Sequence, residues 1–218
     1  MKNYNSTIYN EKVRPVTTYP DELARYLVER FHIRKGSKIL DNGCGRGDFL
    51  KGFERCGMDV YGTDMEEVFA GVYSGINLEK DKLPFADCYF DVVFSKSVIE
   101  HIHQPENYMN EMYRVLKPGG RIIIMVPDWH SCMYIYYDDF THVQPYTMTG
   151  LRDALKIFGF KKVSSEIFHQ LPCVWRHPQL KMLCCLLQLR GGVKKTYKNK
   201  FIRFSRELML LGTGIKRK

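Results

Sequence analysis

The 218-residue chain is short of the features that mark an exported, membrane-spanning or disulfide-stapled protein. No apolar run approaches the roughly 20 residues needed to cross a bilayer. The opening residues, Met1-Lys-Asn-Tyr-Asn-Ser-Thr7, have no apolar core of the kind a signal peptide needs. The seven cysteines are scattered, with Cys184 and Cys185 adjacent and no C-x-x-C pair. That spacing suits neither a disulfide framework nor a structural zinc site, so reduced thiols and a cytoplasmic location are expected. Aromatic and basic residues are not interleaved as on a surface that stacks single-stranded nucleic acid, which makes nucleic acid a poor candidate partner.

What is present is an ordinary globular composition, 44% hydrophobic and 26% charged, at a length suited to one domain with a sizeable core. The formal charge of +9 is unevenly spread. Residues 161–218 carry fourteen lysines and arginines against Glu166 and Glu207 alone, whereas the first 160 residues carry 22 acidic and 19 basic side chains. The basic end would favour an anionic partner, such as phosphate or a membrane surface, unless it is simply a solvated face.

The chain is organised around Lys38-Ile-Leu-Asp-Asn-Gly-Cys-Gly-Arg-Gly-Asp48. Apolar Ile39-Leu40 leads into Asp41 and three glycines at alternate positions, Gly43, Gly45 and Gly47; Phe49, Leu50 and Phe53 then recur at near-helical spacing. The pattern predicts strand, tight turn, helix. Glycines let the backbone approach a ligand closely, and the helix N-terminus adds unpaired N–H groups and a partial positive charge. A dinucleotide fingerprint, G-x-G-x-x-G, would place its third glycine at position 48, where Asp48 stands. The next strand candidate, Met58-Asp-Val-Tyr-Gly-Thr-Asp64, ends in an acid suited to a ribose diol. A nucleoside without a diphosphate fits this pattern better.

Residues 39–47 resemble the first motif of class I S-adenosylmethionine-dependent methyltransferases, and Asp64 resembles their acidic second motif. Leu83-Pro-Phe-Ala-Asp-Cys-Tyr-Phe-Asp-Val-Val-Phe94 with Val98-Ile-Glu-His-Ile102 is similar to the third and fourth motifs, and Arg114-Val-Leu-Lys-Pro-Gly-Gly-Arg121 to the approach to the fifth strand. These motifs stand in order across residues 36–128. The resemblance implies a Rossmann-like α/β sandwich with a seven-stranded, mostly parallel sheet, its last strand antiparallel, and S-adenosylmethionine as cofactor. It also implies a donor site built from Asp41, Gly43, Cys44, Gly45 and Gly47, with Asp64 and its neighbour Met65 on the nucleoside. Adenine would be read at Asn77 or Asp81, beside Leu78; relatives commonly carry an aspartate where Asn77 stands. Ser95 and Lys96, at the carboxyl end of a strand over Phe90–Ser95, would face the methionine end or the acceptor.

In chain order, residues 1–35 form an N-terminal cap in which Pro20 opens a helix with Asp21 and Glu22 in its first turn and an apolar stripe of Leu23, Tyr26, Leu27 and Phe31. Residues 36–128 are the cofactor-binding core. It holds a strand at 59–64, a short helix at Met65–Val72, a helix at Glu106–Leu116 and a strand at Ile122–Val126, with Asp91 as a structural cap. Strands at Lys161–Phe168 and Arg206–Ile215 close the sheet. Between them residues 171–203 are an insertion whose apolar helix, 178–190, stops at Gly191-Gly192 and is followed by Lys194, Lys195, Lys198 and Lys200. This segment would pack internally, pair two copies as a homodimer, or rest on an anionic membrane through 178–200.

Residues 129–150 form the expected substrate loop. Within it, Asp138-Asp-Phe-Thr-His-Val-Gln-Pro-Tyr-Thr147 is similar to a D-x-T-H-x-x-P-[FY]-T segment of methyltransferases of surface-polysaccharide and other glycan biosynthesis, which implies a sugar hydroxyl as acceptor. A hydroxyl must lose its proton as the methyl arrives, and a histidine of pKa near 6.5 suits that task. His142 is the leading base, Asp139 its candidate partner and His101, which follows Glu100, a further catalytic candidate. Other readings stay open: Thr141 or Thr147 as a helix cap, and His142 as a structural histidine. Asp138, Asp139, His142 and His103 would make a metal set, but no local ligand spacing supports one and no metal is expected. An RNA or small-molecule methyltransferase and a non-catalytic cofactor-binding subunit are the rival functions. No N-P-P-Y loop follows Ser95, so nothing suggests base N-methylation.

Overall fold

Successive residues of the central strands face opposite sides of one sheet, and helices cover both sides. The computed structural model describes residues 15–66, 72–189 and 197–218. Among these, strands β1 (Lys38–Asn42), β2 (Asp59–Thr63), β3 (Val72–Tyr73), β4 (Phe90–Lys96), β5 (Leu116–Pro127), β6 (Lys161–Phe168) and β7 (Met209–Ile215) lie in the order β3-β2-β1-β4-β5-β7-β6. Neighbours are parallel except where β7 runs antiparallel to both β5 and β6. The helices are α1 (Tyr19–Arg30), α2 (Asp48–Arg55), α3 (Pro105–Val115), α4 (Trp129–Cys132), α5 (Met148–Ile157), α6 (Pro172–Arg176), α7 (Leu180–Gln188) and α8 (Lys200–Arg206). This is the Rossmann-like methyltransferase sandwich expected from the motifs.

Ile39, Val92, Phe94, Ile123 and Met125 pack on one face against Leu23 and Leu27 of α1 and Phe53 of α2. Their neighbours Leu40, Val93, Ile122 and Ile124 pack on the other against Met109 and Met112 of α3 and Leu151 and Leu155 of α5. Strands buried on both faces read as continuous apolar runs, which is why β4 and β5 were legible.

Several boundaries differ from expectation. α1 starts at Tyr19, leaving Pro20 in the first turn, where its missing N–H costs nothing. α3 starts at Pro105, and Leu116 already belongs to β5. The expected helix over Met65–Val72 is corrected at its end: Val72 pairs with Gly62 in β3, and Asp64 N donates to Tyr73 O. Residues 67–71 lie outside the described residues. β7 begins at Met209 because Arg206 ends α8, where its guanidinium bonds to the Leu187 carbonyl. The apolar helix of the insertion is α7; Gly191-Gly192, Lys194 and Lys195 lie outside the described residues.

Met209 pairs with both Pro127 and Phe168, so the insertion leaves and rejoins the sheet at the edge where β5 ends. The insertion and the 129–150 segment therefore rise from the edge that carries the glycine turn. No helix among the described residues is long and apolar enough to cross a membrane.

Candidate active site

The turn after β1 forces three glycines into the left-handed region, with φ of +85° at Gly43, +50° at Gly45 and +70° at Gly47. A Cβ on Gly43 would lie 2.5 Å from Cγ2 of Val98, whereas one on Gly45 would enter open space. Gly43 N and Cys44 N both donate to the Thr63 carbonyl, at 2.9 and 3.0 Å, tying the turn to the end of β2. Asp64 accepts the Gly45 N–H at 2.7 Å through one oxygen and the Glu66 N–H at 3.1 Å through the other. At the end of β1, Asp41 is buried with Oδ2 unpartnered. Burial first, and then the Asp64 charge, push its pKa up to about 8, against the pull of Lys96. Open space at Gly45 flanked by two acids fits a ligand with a positive end and a ribose diol.

The loop after β3 joins this site through Ile76 N, which donates to the Asp64 carbonyl at 3.2 Å. It brings Asn77, Leu78 and Asp81 to the Asp64 side, where Met65 stands exposed. Asn77 Oδ1 accepts from Glu79 N at 3.0 Å, and Asp81 Oδ2 accepts from Asn77 N at 2.7 Å. Asn107 clamps the carbonyls of Leu78 and Asp81 from α3. These two side-chain oxygens close the loop on itself beside Asp64.

Ser95 plays a different part from the one expected. Its side chain is buried, donates to the Asn42 carbonyl at 2.7 Å and accepts from Tyr108 Oη at 2.5 Å. That hydroxyl braces β4 against β1 and α3, a scaffold task. Lys96, half-buried at the strand end, favours the charged forms of both Asp41 and Glu100, so it links the end of β1 electrostatically to Glu100. Ser97 turns the chain with φ +58°, an uncommon value for a non-glycine residue and a common feature of functional sites.

Beyond Ser97, Ile99–His101 form a 3-10 turn. The Glu100 carbonyl accepts from Val143 N at 2.8 Å and Gln144 N at 3.1 Å, clamping the substrate loop onto the turn. The Thr141 hydroxyl donates to Asp139 Oδ1 at 2.7 Å and lies 2.9 Å from His101 Nδ1. With its own proton committed, that oxygen accepts, which places a proton on His101 Nδ1. His142 Nδ1 lies 2.7 Å from the Tyr136 carbonyl, an acceptor only, so it too carries its proton on Nδ1. The centroids of the two rings are 4.7 Å apart. Burial and then the neighbouring His142 hold the pKa of His101 below its ordinary value, partly countered by Asp139.

Glu100 completes the group. It is fully buried, and neither carboxylate oxygen has a hydrogen-bond partner. Burial pushes its pKa up to about 8, with Lys96 opposing and Asp139 adding to the shift. One ligand-type atom from each of Glu100, His101 and His142 lies within 4.8 Å of the others. The metal set envisaged from sequence is not the one that converges: His103 is exposed, with its backbone N–H on Glu79, and Asp138 is exposed.

The structure thus brings His101, His142 and Asp139 together, with Asp139 acting on His101 through Thr141. Thr147 is the helix cap, accepting from Gly150 N at 3.1 Å. Thr141, Tyr136 and Glu100 had been overlooked as parts of this arrangement. The adjacent pairs Glu100-His101 and Thr141-His142 were its visible traces.

A family model described as a methyltransferase domain matches residues 9–165. The chain is 32% identical over 114 residues to the ubiquinone/menaquinone biosynthesis C-methyltransferase UbiE of Burkholderia mallei (strain SAVP1), covering 46% of this chain and 47% of that protein. It spans about half the length of the curated relatives it matches. Among solved structures it is similar to a SAM-dependent methyltransferase from Archaeoglobus fulgidus, with a TM-score of 0.64 and 20% identity over 97% of this chain and 99% of that one. It is also similar to phosphoethanolamine N-methyltransferase 2 of Haemonchus contortus, in complex with phosphomonomethylethanolamine and S-adenosylhomocysteine, with a TM-score of 0.64 and 18% identity over 99% of this chain and 59% of that one. At these identities the structural likeness speaks for the fold.

Proposed function

The chain belongs to the class I S-adenosylmethionine-dependent methyltransferases, and on that premise we propose that it methylates a hydroxyl oxygen, on a sugar or a glycan- or lipid-linked intermediate. The observation that carries this reading is the pair of imidazoles at the sheet's carboxyl edge, each held at Nδ1 by an oxygen, the Thr141 hydroxyl for His101 and the Tyr136 carbonyl for His142. The relatives' names include a C- and an N-methyltransferase, so family membership leaves the acceptor atom open. An amine attacks with a lone pair it already holds, whereas a hydroxyl must shed a proton, which gives a histidine pair its use.

When bound, S-adenosylmethionine supplies the electrophilic methyl group. Asp41, Gly43, Cys44, Gly45 and Gly47 would line its site, Asp64 and Met65 would meet the nucleoside, and the 77–81 loop with Leu78 would border adenine. Lys96, which favours the ionised forms of Asp41 and Glu100, would put a positive charge beside both acids. His142 Nε2 takes the hydroxyl proton, and His101, held through Thr141 and Asp139, fixes the neighbouring edge. The chain's remaining work is alignment and exclusion of water.

Exposed apolar side chains on the same edge support a lipid-borne acceptor and a peripheral membrane contact from the cytoplasmic side. Tyr134 and Phe140 of the substrate loop are 77% and 83% exposed, and Met182 and Leu189 of the insertion 73% and 82%. Lys198 and Lys200, also exposed, provide positive charge for anionic headgroups.

The test is incubation with isotope-labelled methyl donor and separate glycan, lipid, quinone, RNA and small-molecule pools, read by mass spectrometry. A label on a sugar or lipid-linked hydroxyl supports the proposal. A label on carbon, nitrogen or RNA overturns the acceptor class, and donor binding without transfer points to a non-catalytic subunit.

A further inference from the structure

Buried carboxylates normally pair or coordinate a cation, because an isolated one loses its hydration without compensation. Glu100 is fully buried, and no other residue donates a hydrogen bond to either of its oxygens. Its own backbone N–H and Lys96 favour its charged form, and Asp139 opposes them. Beside it, each histidine is held as a metal-binding imidazole is usually held, by a partner on the other ring nitrogen. For His142 that partner is the Tyr136 carbonyl; for His101 it is the Thr141 hydroxyl, backed by the Asp139 carboxylate. One ligand-type atom from each of the three residues lies within 4.8 Å of the others.

We propose that Glu100, His101 and His142 form a binding site for one divalent first-row transition ion. Two imidazoles and one carboxylate suit zinc, manganese, cobalt or iron rather than magnesium or calcium, which prefer all-oxygen sets. Three protein ligands leave coordination positions open for a hydroxyl. The ion's role in catalysis rests on the methyl-transfer reading. With the ion in place, it draws electron density from the acceptor oxygen, the proton leaves to solvent, and His142 is a ligand; without it, His142 takes that proton. The coordination chemistry itself does not depend on that reading.

The experiment is calorimetric titration of chelator-treated protein with Zn2+, Mn2+ and Co2+, alongside titration with S-adenosylhomocysteine as a probe of fold and donor site. One equivalent of ion is expected, with Co2+ giving the visible absorption of a nitrogen-oxygen site. Glu100→Gln should abolish ion binding, and Thr141→Val should weaken it about 10–100-fold, with S-adenosylhomocysteine binding retained in both. Absence of binding by the wild-type protein, or unchanged binding in Glu100→Gln and His142→Ala, overturns the site. Should Glu100→Gln fail to fold, unchanged ion affinity in Thr141→Val and His142→Ala overturns it equally. Ion binding without any S-adenosylhomocysteine binding in the wild type would instead sink the methyl-transfer reading.

Discussion

The Thr141 hydroxyl stands 2.9 Å from Nδ1 of His101, forty residues away in sequence, and gives its own proton to Asp139. One side chain thus sets the tautomer of a histidine on a different loop. Thr141→Val keeps the shape and removes both bonds. Its kcat should fall about 10–100-fold, in line with loss of a partner that orients a functional imidazole, while KM for the donor stays within a factor of two or so. Thr141→Ser should recover most of the rate; a Ser variant as impaired as Val would show that the methyl group, not the hydroxyl, matters.

Asp64 ties the glycine turn to the chain just beyond β2 through the N–H groups of Gly45 and Glu66. Asp64→Ala should weaken S-adenosylhomocysteine binding by at least about tenfold, since a hydrogen bond to a charged group contributes roughly 1.5–3 kcal/mol. Calorimetry reads the change directly. Wild-type affinity in this variant would remove Asp64 from the donor site.

Asp41 makes stability depend on pH in a definite direction. Its folded pKa, about 8, lies above the ordinary 3.8 of an aspartate, so the unfolded chain releases this proton first. The contribution to stability is complete below about pH 4 and drains away as pH climbs toward 8. Asp41→Asn removes this loss. Its stability in urea should exceed that of the wild type by a margin that widens between pH 5 and pH 8, by roughly 1.4 kcal/mol per pH unit. Glu100 titrates in both proteins and cancels in the comparison. A margin independent of pH would contradict the assignment.

Helix α7 buries Cys184 and leaves Met182, Leu183 and Leu186 exposed. The protein should float with vesicles containing phosphatidylserine and release at high salt, each nearby lysine contributing about 1 kcal/mol. Leu186→Asp with Leu189→Asp should abolish flotation. Elution of the wild type as a dimer that the same pair of changes splits, with no vesicle binding, would assign this face to a second copy.

Gly43→Ala tests the turn itself. The added methyl would meet Val98 at 2.5 Å at a backbone φ of +85°, so a loss of about 1–3 kcal/mol in stability is expected from overpacking alone. Pairing it with Val98→Ala should recover only the part due to the clash, leaving the cost of the left-handed backbone. Thermal melts of the single and double variants separate the two.

The sequence by itself determined the sheet and its ligand turn. Ile39-Leu40, Val92-Val93 and Ile122 to Ile124 are apolar without interruption, and a run buried on two faces can be read from neighbours alone. The glycines at 43, 45 and 47 were equally legible, because positive φ is a property of single residues. Tertiary structure decided which polar groups are spent and which are left over. Ser95 looked available until Tyr108 arrived from α3 to bond it, and Asp139 turned out to serve His101 by way of Thr141. Glu100 became an unpaired buried acid only when the loop carrying Val143 and Gln144 closed over its backbone. Hydrogen bonds and desolvation act across a few ångströms of space, and residues 100 and 142 acquire that proximity only in the folded chain.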